Sequence, residues 1–185
     1  MWNAPYQNVN NTDGRKELCE WSAMKHMAVK SLALQFRGAG SFLSNFYPCE
    51  IHIWGEVFTC TEAAYQFKKA RHFHDENTAR KIQTARTGIQ AKYWSKSIRW
   101  IPDRVVSWLS QRRSVMHAIL AVKFRVSKLR QRLLATGDAR LIENVPSAEG
   151  FWGKSSNRNK PGENILGVIL MQVRDFVRQR SIRLT

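Results

Sequence analysis

From Pro102-Asp103 onward, apolar side chains fall at positions 105, 108, 109, 115, 116, 119, 120 and 124. This spacing returns to one side of a helical cylinder, so it predicts a long amphipathic helix with that face turned to a core. A second such helix is expected from about Asn164 to Arg180, with Leu166, Ile169, Val173, Phe176 and Val177 facing inward. Shorter helices are expected at Glu76–Ala85, Ile89–Ser95 and Leu129–Ala135, the last stopped by Gly137. Alternation of a different period marks the strands. Leu32, Leu34 and Phe36 alternate with Ala33, Gln35 and Arg37, and Ile51 to Phe58 reads as a hairpin turning near Gly55. ARLIEN (139–144) reads as one more short strand. The expected architecture is a single α+β domain, predominantly helical, with a small number of short strands near its N-terminal part. It occupies residues 31–185, and residues 1–30 form a partly disordered N-terminal extension.

A formal charge of +16 and a pI near 10.4 accompany 43% hydrophobic residues. There is enough apolar material for a core, and the charge points to polyanionic partners, whether phosphorylated metabolites or nucleic acid. Residues 1–95 carry 12 basic and 8 acidic side chains, residues 96–185 carry 18 and 6, so the second half is the better place to meet phosphate. Cys19, Cys49 and Cys60 form no CxxC pair and are odd in number, which argues against a disulfide frame and a zinc site. His72 and His74 lack nearby partners of metal-ligand type. No apolar run approaches the ~20 residues of a membrane span. We expect a protein of the intracellular, cytoplasmic space, using neither metal nor cofactor and having no membrane partner. Oligomeric state is not legible.

The segment TEAAYQFKKARHF carries the most chemistry. With Thr61 as N-cap, a helix from Glu62 to about His74 places Glu62, Gln66 and Lys69 within about 60° of one another. Ala63, Phe67 and Ala70 flank this stripe on one side and Tyr65 on the other, while the solvated face carries Lys68 and Arg71. A carboxylate, an amide and an ammonium thus sit among apolar neighbours, where charge is costly unless paired or used. Two readings stand: a Glu62–Lys69 ion pair shared with Gln66, or the polar floor of a pocket. Aromatic residues in loops favour a pocket. Phe46 and Tyr47 lie in GAGSFLSNFYP, and Trp152 lies beside Gly153 in a polar loop, where a ring can stack on a flat ligand. Trp108 fits the apolar stripe of its helix and by itself reads as core before it reads as a stacking wall.

SFLSNFYP, TEAAYQFKKA, Trp108 eight residues before Met116, AVKF, LLATGDARLIE, EGFWG and GENILGVILMQVR occur in that order. Together these resemble the NADAR superfamily, whose YbiA-like members are N-glycosidases, over roughly residues 36–178. The resemblance implies cleavage of an N-glycosidic bond to ribose, either in phosphorylated riboflavin-pathway intermediates or in ADP-ribose attached to guanine. The family's essential glutamate falls on Glu62, and its following glutamine and lysine on Gln66 and Lys69. Its functional tryptophan falls on Trp108, the Asn-Phe pair on Asn45 and Phe46, the acidic-x-x-Trp-Gly signature on Glu149, Trp152 and Gly153, and the Gly-x-Asn segment on Gly162 and Asn164. Two departures matter. Ala63 and Ala64 replace a histidine and an aromatic residue, which bears on the choice of base. Glu149 replaces an aspartate, so a bound ribose would sit differently.

Under this resemblance Glu62 stabilises positive charge at the anomeric carbon or activates water, and Lys69 either forms a Schiff base with ring-opened ribose or grips an anion as a cation. Asn45 and Asn164 would hold ribose or phosphate, and Phe46, Trp108 or Trp152 would stack the base. The expected partner is a phosphorylated nucleoside-like small molecule or an ADP-ribosylated base in nucleic acid. The competing reading is a non-catalytic basic nucleic-acid-binding module, although the basic residues form no run or arm.

Overall fold

The structure is a computed structural model. It describes residues 32–146, 150–155 and 161–182, with side chains to 180. The expected extension at residues 1–30 and the candidate Glu149 lie outside the described residues. Among those described, the order is β1 (Ala33–Phe36), β2 (Ile51–Ile53), β3 (Glu56–Phe58), α1 (Thr61–His72), α2 (Glu76–Gln83) and α3 (Gly88–Trp94). A 3-10 turn (Ser95–Ser97) follows, then α4 (Pro102–Lys123), α5 (Ser127–Leu134), β4 (Arg140–Val145), β5 (Lys154–Ser155) and α6 (Ile165–Ile182). The chain is α+β and predominantly helical, and among the described residues no helix is long and apolar enough to cross a membrane.

The strands do not all cluster early. β1 pairs in parallel with β4, Phe36 opposite Glu143, and β4 pairs in parallel with β5, so one sheet is assembled from segments a hundred residues apart. β2 and β3 form a separate hairpin in which Ile51 faces Phe58, turning through Trp54 and Gly55, both at positive φ. That pair of dihedral signs matches the right-handed twist of the flanking strands.

α1 lies in the middle of the helical layer. Ala63, Ala64 and Ala70 are fully buried, and such short side chains let neighbouring helices approach closely. The expected N-cap does not hold. Cys60 occupies the cap position without a side-chain hydrogen bond, and Thr61 is the first helical residue. The orphan N–H at Glu62 is instead satisfied by the carbonyl of Asn45, at 2.9 Å, so a loop of the preceding segment does the work of a cap. α2 and α3 are capped conventionally, by Asp75 accepting from the Thr78 N–H and Thr87 accepting from the Gln90 N–H.

α4 opens with proline in its first turn and buries Trp108, Val115, Met116, Ile119 and Leu120, as the stripe predicts, while Leu109 stays exposed. On α6, Leu166, Ile169 and Val173 are buried, but Phe176 is half-exposed. It lines a groove of about 490 Å³ with His117, Phe124, Arg125, Arg130 and Arg180. Phe176 sits at the edge of the core, whereas Val177 is partly buried and packs against it. Gly167 brings α6 against β4, where a Cβ would collide with the Leu141 carbonyl oxygen.

Candidate functional site

The first turns of α1 hold the acid and the amide. Glu62 and Gln66 are 5% and 2% exposed, and the Gln66 Nε2 donates to Glu62 Oε1 at 2.8 Å. Lys92, reaching in from α3, brings its Nζ to 4.0 Å from the same oxygen. Around this pair, Asn45 Oδ1, Thr61 Oγ1 and Gln66 Oε1 are buried and make no hydrogen bond within the protein. Buried polar atoms are normally paired. Three unpaired acceptors, two on α1 and one on the loop residue whose carbonyl bonds Glu62, suit a ligand rich in hydrogen-bond donors such as a polyol.

Lys69 is one turn further along and half-buried, its Nζ 4.4 Å from the centre of the Trp100 ring. Its pKa is lowered to about 8, first by burial and then by the nearby Lys92, with Glu62 opposing both. At neutral pH this lysine therefore keeps an appreciable neutral fraction, which a nucleophilic amine requires.

A fourth charged group joins from the sheet. Glu143 on β4 has its pKa raised to about 7, first by burial and then by Glu62, with Lys92 opposing. Its backbone N–H donates to Asn164 Oδ1 at 3.0 Å, and Asn164 Nδ2 donates to the Leu141 carbonyl at 2.9 Å. Asn164, at φ +57°, thus uses its side-chain amide to fix the strand that carries Glu143. Glu143 lines a cleft of about 260 Å³ with Arg37, Phe46, Ile89 and Asn144, beyond the carboxyl ends of the parallel strands β1 and β4. Ligands of open parallel sheets bind in such crevices.

The aromatic residues arrange themselves around Tyr65. Its ring lies 5.5 Å from that of Trp108 and 5.3 Å from that of Trp152, and Phe151 lies 4.8 Å beyond Trp152 under the guanidinium of Arg112. Burial pushes the Tyr65 hydroxyl pKa up, and Glu62 adds to this. Trp108 is 2% exposed and packs against Tyr65, His72 and Phe73, so it offers no ligand face here. Trp152 is partly exposed. Its carbonyl and that of Phe151 accept from the N–H groups of Leu166 and Ile165, which seats this turn on the N-terminus of α6. A Cβ at Gly153 would press into the Val145 side chain and the Glu143 carbonyl, so the turn can lie this close to β4 only with glycine there. His72 uses both ring nitrogens between helices, Nε2 with the Arg104 carbonyl and Nδ1 with the Gln111 amide.

The structure therefore brings Glu62, Gln66, Lys69, Asn45 and Phe46 into one neighbourhood. Trp152, Gly153 and Asn164 connect to it through Tyr65 and β4. Three residues went unseen in the sequence: Lys92, Trp100 and Glu143. Glu143 left a signal, since it shares its strand face with the fully buried Leu141 and an acid at that parity needs a reason. Lys92 left none, because a lysine in a short polar helix reads as surface.

Comparison with known proteins identifies the family. A riboflavin biosynthesis protein of Vibrio vulnificus is 34% identical over 141 residues, covering 76% of this chain but 36% of that protein, so the chain spans little more than a third of its length. An N-glycosidase of Nostoc punctiforme is 34% identical over 137 residues, covering 73% of this chain and 84% of that protein. The solved structure of the E. coli protein YbiA superposes with a TM-score of 0.69 at 25% identity, covering 84% of this chain and 90% of that one. The NADAR domain model matches residues 35–178, and with these relatives it places the chain in the NADAR domain family.

Proposed function

We propose that the chain is an N-glycosidase that hydrolyses the bond between a phosphorylated ribose, or ADP-ribose, and a nitrogenous base. The observation that carries this reading is a buried carboxylate and a half-buried lysine of lowered pKa about two turns apart on α1, together with unpaired buried oxygens on Asn45, Thr61 and Gln66. The relatives named as an N-glycosidase and a riboflavin biosynthesis protein support the reaction class.

Breaking such a bond builds positive charge on the anomeric carbon and sends electrons to the base. Glu62, held by Gln66, faces that charge and accepts a proton from the attacking group. Lys69 in its neutral form attacks the anomeric carbon, and opening of the ribose ring then gives a Schiff base that water releases. Asn45 and Gln66 receive ribose hydroxyls on their unpaired oxygens. Phe46 and Trp152 supply ring surface for the base, and basic residues of the second half meet the phosphates.

The test uses 5-phosphoribosylamino-pyrimidine and guanine-linked ADP-ribose as substrates, with base release followed by chromatography. Borohydride added during turnover should leave a sugar adduct on Lys69. Turnover without any adduct would replace the lysine route with direct attack by water, and no base release from either substrate would remove the N-glycosidase reading. The +16 charge favours a large anionic substrate as a second setting for the same chemistry. Steep salt dependence on an ADP-ribosylated oligonucleotide, but not on the mononucleotide, would identify nucleic acid as the substrate carrier.

A further inference from the structure

We infer that Glu143, at the cleft beyond β1 and β4, is the acid that protonates the departing base, with Glu62 as its partner on α1. The inference rests on the N-glycosidase reading and adds to it a residue on a different element. Several independent observations meet at this carboxyl group. It lines the cleft with Phe46 and Ile89, whose side chains offer apolar surface to a flat ring. It lies close enough to Glu62 and Lys92 for each to act on its charge. Its strand is fixed by both side-chain atoms of Asn164 and by the close approach of Gly153 to its carbonyl.

Two carboxylates near one another cannot both ionise freely, and the pair divides into one acid and one base. Here Glu62 is paired with Gln66 and faces Lys92 at 4.0 Å, an environment that supports a carboxylate. Glu143 is held at about 7, so near neutrality a large share of it keeps its proton. The division of labour follows from that difference.

The step balances as follows. The carboxyl proton of Glu143 passes to the nitrogen of the base as the bond from that nitrogen to the anomeric carbon breaks, its electron pair staying on nitrogen. The neutral amine of Lys69 bonds to the anomeric carbon and loses a proton to Glu62. The ribose ring opens as the lysine N–H proton passes to the ring oxygen, water hydrolyses the resulting Schiff base to the free amine and the sugar, and the proton on Glu62 returns to Glu143 through solvent. One water is consumed, and nothing is oxidised or reduced.

An acid is needed only for a poor leaving group, which gives the test. Glu143→Gln keeps size and shape but cannot donate a carboxyl proton. It is compared with the wild-type chain on 5-phosphoribosylamino-pyrimidine and on 4-nitrophenyl riboside 5-phosphate, whose nitrophenolate departs without protonation. The expected result is a loss of about 10²–10⁴-fold in kcat on the amine substrate, with turnover of the nitrophenyl substrate kept within about threefold. Retained nitrophenyl turnover also shows that the variant is folded. Equal losses on both substrates, or no loss on either, would overturn the role of Glu143 while leaving the N-glycosidase reading standing. A wild-type chain that cleaves neither of these nor guanine-linked ADP-ribose takes both readings down.

The pH profile gives a second readout that needs no variant. Wild-type kcat/KM on the amine substrate should rise with pH, level between about 7 and 8, and fall above 8, because Glu143 must be protonated and Lys69 neutral. On the nitrophenyl substrate the fall should be missing. Should the nitrophenyl compound resist the wild-type chain, the falling limb decides alone: its loss in Glu143→Gln supports the inference, and its persistence there overturns it.

Discussion

Two lysines in different regions of the molecule are held at about the same proton affinity for different reasons. Lys69, on the open side of α1, is lowered to about 8 by partial burial and by Lys92, against the pull of Glu62. Lys123, at the end of α4, is also lowered to about 8, but it is fully buried and its ammonium donates to one carbonyl, that of Ser44, at 2.8 Å. Its other neighbours are Cys49 and Cys60, whose thiols burial holds in the neutral form, and the rings of Tyr47 and Phe124. Lys69 faces charged groups that can exchange protons with a substrate. Lys123 faces backbone and apolar surface, and ties α4 to the loop that supplies Asn45. A shifted pKa alone does not separate a reactive amine from a structural one; the neighbours do.

The largest effect should come from the α1 side. Glu62→Gln and Lys69→Met should each lower kcat by about 10²–10⁴-fold while thermal unfolding midpoints stay near wild type. Near-normal turnover in either variant would take that residue out of the chemistry and dissolve the contrast with Lys123. Lys123→Ala should behave the opposite way. It leaves a cavity and an unpaired Ser44 carbonyl, so denaturant unfolding should show a loss of about 2–5 kcal/mol, with kcat per folded molecule changed by less than about threefold. A selective loss of kcat there would make Lys123 part of the active machinery.

The pH dependence of stability sharpens the same contrast. Lys123 takes up its proton at about 8 when folded but at about 10.5 when unfolded, so between those values the unfolded chain binds more protons. Stability should therefore rise with pH across that window, by an amount on the order of 3 kcal/mol from this residue. Guanidinium unfolding at pH 7.5 and 10.5 measures it. In Lys123→Met the share of the rise due to Lys123 should vanish, leaving the contribution of the same sign from Lys69. An unchanged rise in that variant would mean that Lys123 is far better solvated than its burial indicates. The smallest effect concerns the sheet. Gly167→Ala forces a methyl group toward the Leu141 carbonyl and should cost about 1–3 kcal/mol by overpacking. Because it pushes on β4 and not on α4, it should disturb Glu143-dependent turnover more than it disturbs the Lys123 contact.

Much of the fold was legible because periodicity survives in single segments. The stripe on α4, the hairpin at Ile51–Phe58 and the start of α6 all follow from spacing that a local element imposes on its own residues. Misreadings arose where a distant segment intervened. Thr61 looks like a helix cap, but the carbonyl of Asn45 takes that position's work. Phe176 continues an apolar stripe but lies half-exposed at the edge of the core, against which Val177 still packs.

The candidate site divides in the same way. Glu62, Gln66 and Lys69 could be grouped from sequence because one helix sets their spacing, and helix geometry is local. Lys92 and Glu143 could not. They arrive on α3 and β4, and their approach to Glu62 depends on how helices stack and on the parallel pairing of β1 with a strand about a hundred residues later. Sequence alone determined which residues share a face. Tertiary structure decided which charges share a low-dielectric space, and Coulombic coupling there depends on distance and burial, neither of which is written in the order of the residues.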